Sequence, residues 1–266
     1  MEHVPPVTFS RPPVVETVLG VQFLPLRRLT APYAGLYWGE IRQDYPTQEV
    51  KSPLAPSVEA PSAPSETGIR FFAEPEVRCW FIDAEGAQLI QVQRDRFVRN
   101  WRKTGGAPEY PRYGWLRPAF QRDWERFLRF LEREDLGGPE VNQCEVTYIN
   151  HIEQGAGWQS FGDLAKVLNL VARPESKESL PEPEMLVLNV RYGMPDDQGR
   201  LHVTAQPAIR RHDRKLVLQL TLMARGRPRS PAIGDIMAWF DLGHDWIVRG
   251  FVDVTTPRMH EIWGRR

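Results

Sequence analysis

The order of patterned segments constrains this chain most, because one order of strands and helices occurs twice. Segments in which apolar and polar residues alternate predict strands, and longer segments with apolar residues at helical spacing predict helices. Residues 11–138 contain a strand, a helix, two strands and a long helix, and residues 139–266 contain a strand, a helix, three strands and a long helix. We therefore predict an α+β fold in which a mainly antiparallel sheet is packed by two long helices.

The recurrence suggests that a strand-helix-strands-helix unit has been duplicated, with halves at about 11–138 and 139–266. No side-by-side identity accompanies it, so chance reuse of common units is the alternative. A chain of 266 residues can bury roughly three quarters of its unfolded surface. We expect a single compact α+β domain over residues 1–266.

The predicted elements also suggest where turns and core residues lie. Seven segments are predicted as strands: residues 14–23, 69–83, 87–101, 141–152, 185–193, 200–210 and 215–225. The short turn Ala84-Glu85-Gly86 predicts an antiparallel hairpin, and Ser160 opens a short helix. The long helices carry apolar stripes through Trp124 and Phe240. His244 falls on the second stripe, where we interpret it as a neutral imidazole hydrogen-bonded in the core.

Residues 47–68 interrupt this pattern. They are rich in Pro, Ser, Ala and Glu and contain no aromatic residue. Such a segment has too little apolar surface to order itself by burial. We predict a proline-rich flexible loop that leaves the domain and returns to it.

Composition and missing motifs exclude several classes of function. The 34 basic residues equal the 34 acidic ones, which argues against a general nucleic-acid or membrane-surface binder. The two cysteines have no CxxC spacing, so we expect reduced thiols and no metal site. No phosphate-loop, dinucleotide, nucleophile-elbow or zinc-protease motif occurs, and we expect no cofactor. The first residues do not have the pattern of a secretory signal, and no apolar run is long enough to span a membrane. We therefore expect a cytoplasmic protein with no membrane partner.

The strand face away from the helices is unusual in composition. Taking every second residue places on it Gln22, Gln91, Gln93, Glu145, Thr147, Asn189, Arg191, His202, Thr204, Gln219 and Thr221. Short and amide side chains favour a partly enclosed groove with directed hydrogen bonds, and a half-exposed sheet surface is the alternative. The candidate ligand-binding residues are Arg191, His202, Glu145, Thr147, Asn189 and Gln219. Arg191 is the expected anchor for an anionic ligand or a partner carboxylate, because its guanidinium donates two parallel hydrogen bonds.

A second candidate surface is the arginine- and aromatic-rich segment 94–113. Its candidate residues for a protein partner or nucleic acid are Arg94, Arg96, Arg99, Trp101 and Arg102. Arginine with interleaved aromatics suits stacked bases and anionic partners. The alternative needs no ligand, because strand alternation places aromatic residues inside and arginines outside.

Five stretches carry a resemblance over the whole chain. They are RPPVVETVLGVQF at 11–23, QVQRDRFVRNWRK at 91–103, YPRY at 110–113, VTYIN at 146–150 and IWG near the C-terminus. Together they resemble a sporadically distributed bacterial family of uncharacterised proteins. The patchy distribution of that family implies mobile accessory genes, such as phage-defence or toxin-antitoxin loci.

Three functions follow as hypotheses. The first is a non-catalytic binding or regulatory protein, which the missing catalytic motifs and the resemblance favour; an unidentified protein is its expected partner, and a small anionic ligand is the alternative. The second is an enzyme of unrecognised type that uses His202, Glu145 and Arg191 on the sheet face, with no catalytic residue assigned. The third is a single-stranded nucleic-acid binder through segment 94–113.

Overall fold

A computed structural model of the chain describes residues 7–57, 59, 77–105, 109–172 and 180–266. Its strands are β1 (Val14–Phe23), β2 (Thr47–Lys51), β3 (Arg78–Ile82), β4 (Gln88–Gln93), β5 (Arg96–Arg102), β6 (Val141–Glu153), β7 (Leu188–Gly193), β8 (Arg200–Ile209) and β9 (Leu216–Gly226). Its α-helices are α1 (Ala31–Ile41), α2 (Tyr113–Arg133), α3 (Ile233–Val254) and α4 (Pro257–Trp263). Two short 3₁₀ helices lie at Phe161–Lys166 and Pro195–Asp197.

The strands of these ranges form one sheet in the order β2-β3-β4-β5-β1-β6-β9-β8-β7, and neighbouring strands run antiparallel. The predicted α+β class with a mainly antiparallel sheet is therefore confirmed. Apart from the edge strand β2, the order is symmetric about the β1–β6 pair. On one side β5, β4 and β3 follow β1, and on the other side β9, β8 and β7 follow β6.

The helices pack on one face of the sheet, because alternation places the apolar strand residues there. Leu19, Val21 and Phe23 of β1 are buried on this face. Helix α2 adds a stripe at helical spacing that includes Trp124, and the rings of Phe120 on α2 and Phe240 on α3 meet edge to face at 4.8 Å. One aromatic core thus joins both helices to the sheet.

Several predicted boundaries were wrong. Residues 87–101 form two strands, because Arg94-Asp95 makes a tight turn that lacks the usual Gly-containing signature. The main-chain carbonyls of this turn accept hydrogen bonds from Phe23 and Leu26, which hold it against the end of β1. The helix predicted after Ser160 is a single 3₁₀ segment. The first part of the strand predicted at 69–83 lies outside the described residues.

Residues 47–51, predicted as loop, form β2 at one edge of the sheet. Their TQEVK sequence has no apolar stripe because most of the strand is exposed on both faces. Charged residues are common on edge strands, where they discourage pairing with other chains. In the described ranges, no helix is both long enough and apolar enough to cross a membrane.

Candidate functional site on the polar face of the sheet

The face of the sheet opposite the helices, here called the polar face, collects the side chains that strand alternation predicted for it. The pairing register sets Gln22 of β1 beside Arg96 of β5 and Gln143 of β6. On the other half, Arg191 of β7 lies opposite His202 of β8. Because neighbours in register point to the same side, these residues form one continuous polar surface.

Residues 52–57 and 59, here called the strap, lie across the polar face. Three main-chain N–H groups of the strap donate to glutamine side chains: Leu54 to Gln93 at 2.8 Å, Ser57 to Gln22 at 3.0 Å and Glu59 to Gln143 at 3.2 Å. Gln93 also donates from Nε2 to the Leu54 carbonyl at 2.9 Å, and Arg96 donates to the Ala55 carbonyl at 3.0 Å. The sheet therefore binds the strap mainly through its backbone.

The strap crosses the strands one after another. The residues that bind it lie on β4, β5, β1, β6, β9 and β8, which are consecutive in the sheet: Gln93, Arg96, Gln22, Gln143, Arg225 and His202. Strands are spaced by about 4.8 Å, so the three steps from β4 to β6 span about 14 Å. Pro53 and Pro56 favour an extended backbone in residues 52–57.

Glu59 anchors the end of the strap. Its Oε1 lies 2.7 Å from Nε2 of His202 and 3.7 Å from the guanidinium of Arg225. Burial alone raises the pKa of Glu59, but the hydrogen bond from His202 and the charges of Arg225 and Arg191 outweigh it, so the pKa lies below its ordinary value. The Glu59 side chain is therefore held as a carboxylate.

Arg225 connects the strap to the sheet. Its guanidinium binds Glu145 twice, at 3.0 Å and 2.6 Å, and donates to Oγ of Ser57 at 2.6 Å. Thr147 donates to the other carboxylate oxygen of Glu145 at 3.1 Å. This network orients one guanidinium toward both Ser57 and Glu59, and charge-assisted bonds of this kind are the stronger ones in proteins.

A cavity of about 190 Å³ remains between the strap and the sheet. Val18, Gly20 and Val98 contribute an apolar part of its lining, and Gln143 lies among its polar residues. Nε2 of Gln143 is buried and has no hydrogen-bond partner among the described residues. Nε of Arg96, which also lines the cavity, is likewise buried without a partner in these ranges, so the strap leaves both apolar space and buried donors unused beneath it.

The structure separates the six predicted ligand residues into two groups. His202, Glu145 and Thr147 belong to the network around the strap. Arg191 and Asn189 are exposed on the edge strand β7, and Gln219 is half-buried on β9. Arg191 acts on Glu59 through its charge, whereas no hydrogen bond joins Asn189 or Gln219 to the strap among the described residues.

The predicted loop at 47–68 contains the strap, so its described part is bound to the sheet. The polar, proline-rich composition of the segment did not predict this binding, because the strap is held by hydrogen bonds to side chains on strands that are distant in sequence. The strap residue Ser57 and its partner Arg225 are 168 positions apart. Residues 58 and 60–68 lie outside the described residues.

The arginine- and aromatic-rich segment is divided between the two faces of β5. Arg96 and Arg102 lie on the polar side, where Arg102 donates to the Gly86 carbonyl at 2.7 Å. Trp101 is buried on the helix side, and Arg94 lies in the turn before β5. Nucleic-acid binding through this segment stays a prediction, which titration of single-stranded RNA at low salt tests.

Arg99 also lies on the helix side of β5, where it is 3% exposed. It binds Asp123 of α2 at 2.7 Å, and the Tyr45 hydroxyl donates to the same carboxylate oxygen at 3.1 Å. This buried pair joins the sheet to the helix layer.

Sequence reasoning missed Gln143 and Arg225, although alternation points to both. Gln143 lies two residues before Glu145 on β6, and Arg225 lies four residues after Thr221 on β9, so each shares the polar face. Applying the alternation to every residue of the predicted strands 141–152 and 215–225 would have included them. The chain matches no protein-family model, and no curated protein and no solved structure matches it.

Proposed function

We propose that this chain is a non-catalytic binding protein that takes up an extended peptide segment on the polar face of its sheet. The observation that carries the proposal is the strap, because a peptide segment of this chain already occupies that face. Its backbone is bound by glutamine side chains on three neighbouring strands. The face therefore has the chemistry that a bound peptide requires.

Two features define the peptide. Glutamine side chains that bind main-chain amides accept many sequences, because every residue except proline offers an N–H group. The His202–Arg225 pair adds selectivity for a carboxylate, since it binds the side chain of Glu59. We therefore expect a partner segment with an acidic residue at the position of Glu59.

The space beneath the strap refines this expectation. The cavity there is about 190 Å³, and Leu54 is the apolar strap residue that lines it. A partner with a larger apolar side chain, and with an acceptor for Nε2 of Gln143, makes contacts that the strap does not make. Such a peptide binds more tightly than the strap sequence itself.

The strap regulates the binding of a partner peptide, because it occupies the same face. A tethered segment competes at an effective concentration on the order of millimolar, so a partner must displace it. We expect weak partner binding by the intact chain and stronger binding once the strap is removed.

The test uses a variant in which residues 52–60 are replaced by a Gly/Ser linker of equal length. A fluorescent peptide of sequence SPLAPSVEA, taken from 52–60, should bind this variant saturably in an anisotropy titration and bind the unmodified chain at least ten-fold more weakly. The peptide with Gln in place of Glu59 should bind about ten-fold more weakly, the loss of about 1.4 kcal/mol expected for a charge-assisted hydrogen bond.

A matched pair of histidine variants provides the control. In the linker variant, His202→Ala should weaken peptide binding about ten-fold. His151→Ala should leave it unchanged, because His151 lies on the same face but makes no hydrogen bond to the strap in the described ranges. An absence of peptide binding, or equal losses in both variants, contradicts the proposal.

The symmetric strand order about β1 and β6, with a long helix after each half, supports a duplicated unit with two long helices on a shared sheet. The resemblance of the sequence supports a bacterial accessory locus, and the two free cysteines support a cytoplasmic protein. Genes that neighbour its own test this: a toxin, nuclease or defence partner supports it, and a metabolic operon supports the enzyme hypothesis instead.

A further inference from the structure

A second cavity lies on the helix side of the sheet, away from the strap. Its volume is about 540 Å³, within the range of roughly 300–1,000 Å³ typical of small-molecule sites. It lies between the segment before β1, the residues that open α2, strand β6 and helix α3. It shares no lining residue with the cavity beneath the strap.

Most of this cavity is apolar. Its apolar side chains come from the N-terminal segment, the strands and α3, and include Phe9, Val14, Leu222, Ile247, Val248 and Phe251. Water gains few hydrogen bonds against such walls, whereas an apolar molecule of matching shape displaces it favourably. The extent of the apolar surface therefore indicates an apolar ligand body.

A chain of hydrogen bonds lies at the polar part of the cavity. The Tyr110 hydroxyl lies 2.9 Å from that of Tyr148, which lies 3.0 Å from Nδ1 of His244. The Tyr113 ring stacks on the His244 ring with centroids 3.9 Å apart. Burial lowers the pKa of His244 to about 4, only partly opposed by Asp245 and Asp241, so the imidazole is neutral at pH 7.

This arrangement leaves two polar atoms available. Nδ1 of neutral His244 shares a hydrogen bond with the Tyr148 hydroxyl, and the second ring nitrogen, Nε2, has no partner among the described residues. Asn150 is 1% exposed and donates from Nδ2 to the Leu220 carbonyl at 3.0 Å, while its Oδ1 has no partner in the same ranges. Both atoms keep accessible surface, so a molecule in the cavity can form hydrogen bonds with them.

The charges around the cavity favour a neutral ligand. Arg112 and Arg266 are exposed, and Arg112 already donates to the Phe9 carbonyl at 2.9 Å. Asp245 lines the cavity with the opposite charge. The buried polar groups are neutral, and none of them offers a counter-charge to an ionised ligand.

We propose that this cavity binds a neutral, mainly apolar small molecule that carries a hydroxyl group. A hydroxyl both donates and accepts, so it can form a hydrogen bond with Oδ1 of Asn150 and with Nε2 of His244. The site is separate from the polar face and does not depend on the peptide proposal.

Three probes of similar shape test the chemical class: 2-naphthol, 2-methylnaphthalene without the hydroxyl, and anionic 2-naphthoate. Each is titrated into the full chain and followed by chemical-shift changes or calorimetry. We expect saturable 1:1 binding of 2-naphthol, with at least ten-fold weaker binding of the other two. No saturable binding of 2-naphthol, or equal binding of all three, overturns the proposal.

Variants locate the site. Val248→Trp fills the cavity from α3 and should abolish 2-naphthol binding, whereas Asp253→Trp, at an exposed position of the same helix, should not. His244→Phe should reduce the preference for 2-naphthol over 2-methylnaphthalene, because only Asn150 then remains to bind the hydroxyl, and general destabilisation does not change this preference. Binding that survives Val248→Trp, or an unchanged preference for 2-naphthol in His244→Phe, contradicts the assignment. The peptide affinity should be unchanged in the same variants, so a failure of the 2-naphthol prediction can be distinguished from a failure of the peptide proposal.

Discussion

Acid should destabilise this protein through His244 before its carboxylates titrate. The pKa of this histidine is about 4 in the folded chain and about 6.5 in the unfolded chain. Because the folded pKa is depressed, the unfolded state binds a proton first as the pH falls below 6.5. Stability from this group is complete above pH 6.5 and is lost progressively down to about pH 4.

The magnitude follows from the pKa difference. Each pH unit between the two pKa values lowers the free energy of unfolding by about 1.4 kcal/mol, so pH 5 costs about 2 kcal/mol relative to pH 7.5. Other histidines contribute, since burial also lowers the pKa of His151 and His260. The comparison with a His244 variant isolates the contribution of this residue.

His244→Phe is the suitable variant, because phenylalanine keeps the aromatic contact with Tyr113 and cannot bind a proton. Urea unfolding at pH 7.5 and pH 5.0 measures the difference in stability for each chain. We expect the variant to lose about 2 kcal/mol less than the unmodified chain between the two pH values. Equal losses would refute the claim that the fold holds His244 as a neutral imidazole.

Two further predictions concern the core on the helix side of the sheet. Trp124→Ala and Phe240→Ala should each lower the free energy of unfolding by about 3 to 5 kcal/mol, since both side chains are fully buried between helix and sheet. Denaturant midpoints measure the loss, and a change below about 1 kcal/mol contradicts the prediction. Asp123→Ala should cost about 3 to 5 kcal/mol because it leaves the buried Arg99 without its counter-charge, whereas pairing Asp123→Leu with Arg99→Met should restore much of that stability in the same assay.

Much of the polar face was predictable from strand alternation, because which side chains share a face is a local property of each strand. Alternation grouped Gln22, Gln93, Glu145 and His202 from four strands, and the register places them on one side. Helical spacing similarly predicted the burial of Trp124. Strand alternation and helical spacing can both be recognised without knowing which element packs against the strand or helix.

The strap was not predictable in this way, because its order depends on partners far away in sequence. Its composition has the low aromatic content typical of flexible segments. Its hydrogen bonds reach Gln93 at 39 positions and Arg225 at 168 positions. Only the assembled sheet brings those acceptors and donors together.

The cavity on the helix side was missed for a related reason. Its polar groups come from three elements, with Tyr110 before α2, Tyr148 on β6 and His244 on α3. The apolar stripe of α3 correctly predicted a hydrogen-bonded, neutral His244. That its partner is Tyr148 depends on how β6 packs against α3, and the spacing of apolar residues within one helix does not reveal this.

Amide hydrogen exchange of the strap tests the central claim most directly. The N–H groups of Leu54, Ser57 and Glu59 donate to the sheet, whereas that of Ala55 donates no hydrogen bond in the described ranges. NMR exchange rates of the intact chain should show the first three amides protected at least about ten-fold relative to the free peptide of residues 52–60, with Ala55 less protected. Excess peptide of that sequence should remove this protection by displacing the strap. Exchange of all four amides at free-peptide rates would contradict the claim that the polar face binds an extended peptide.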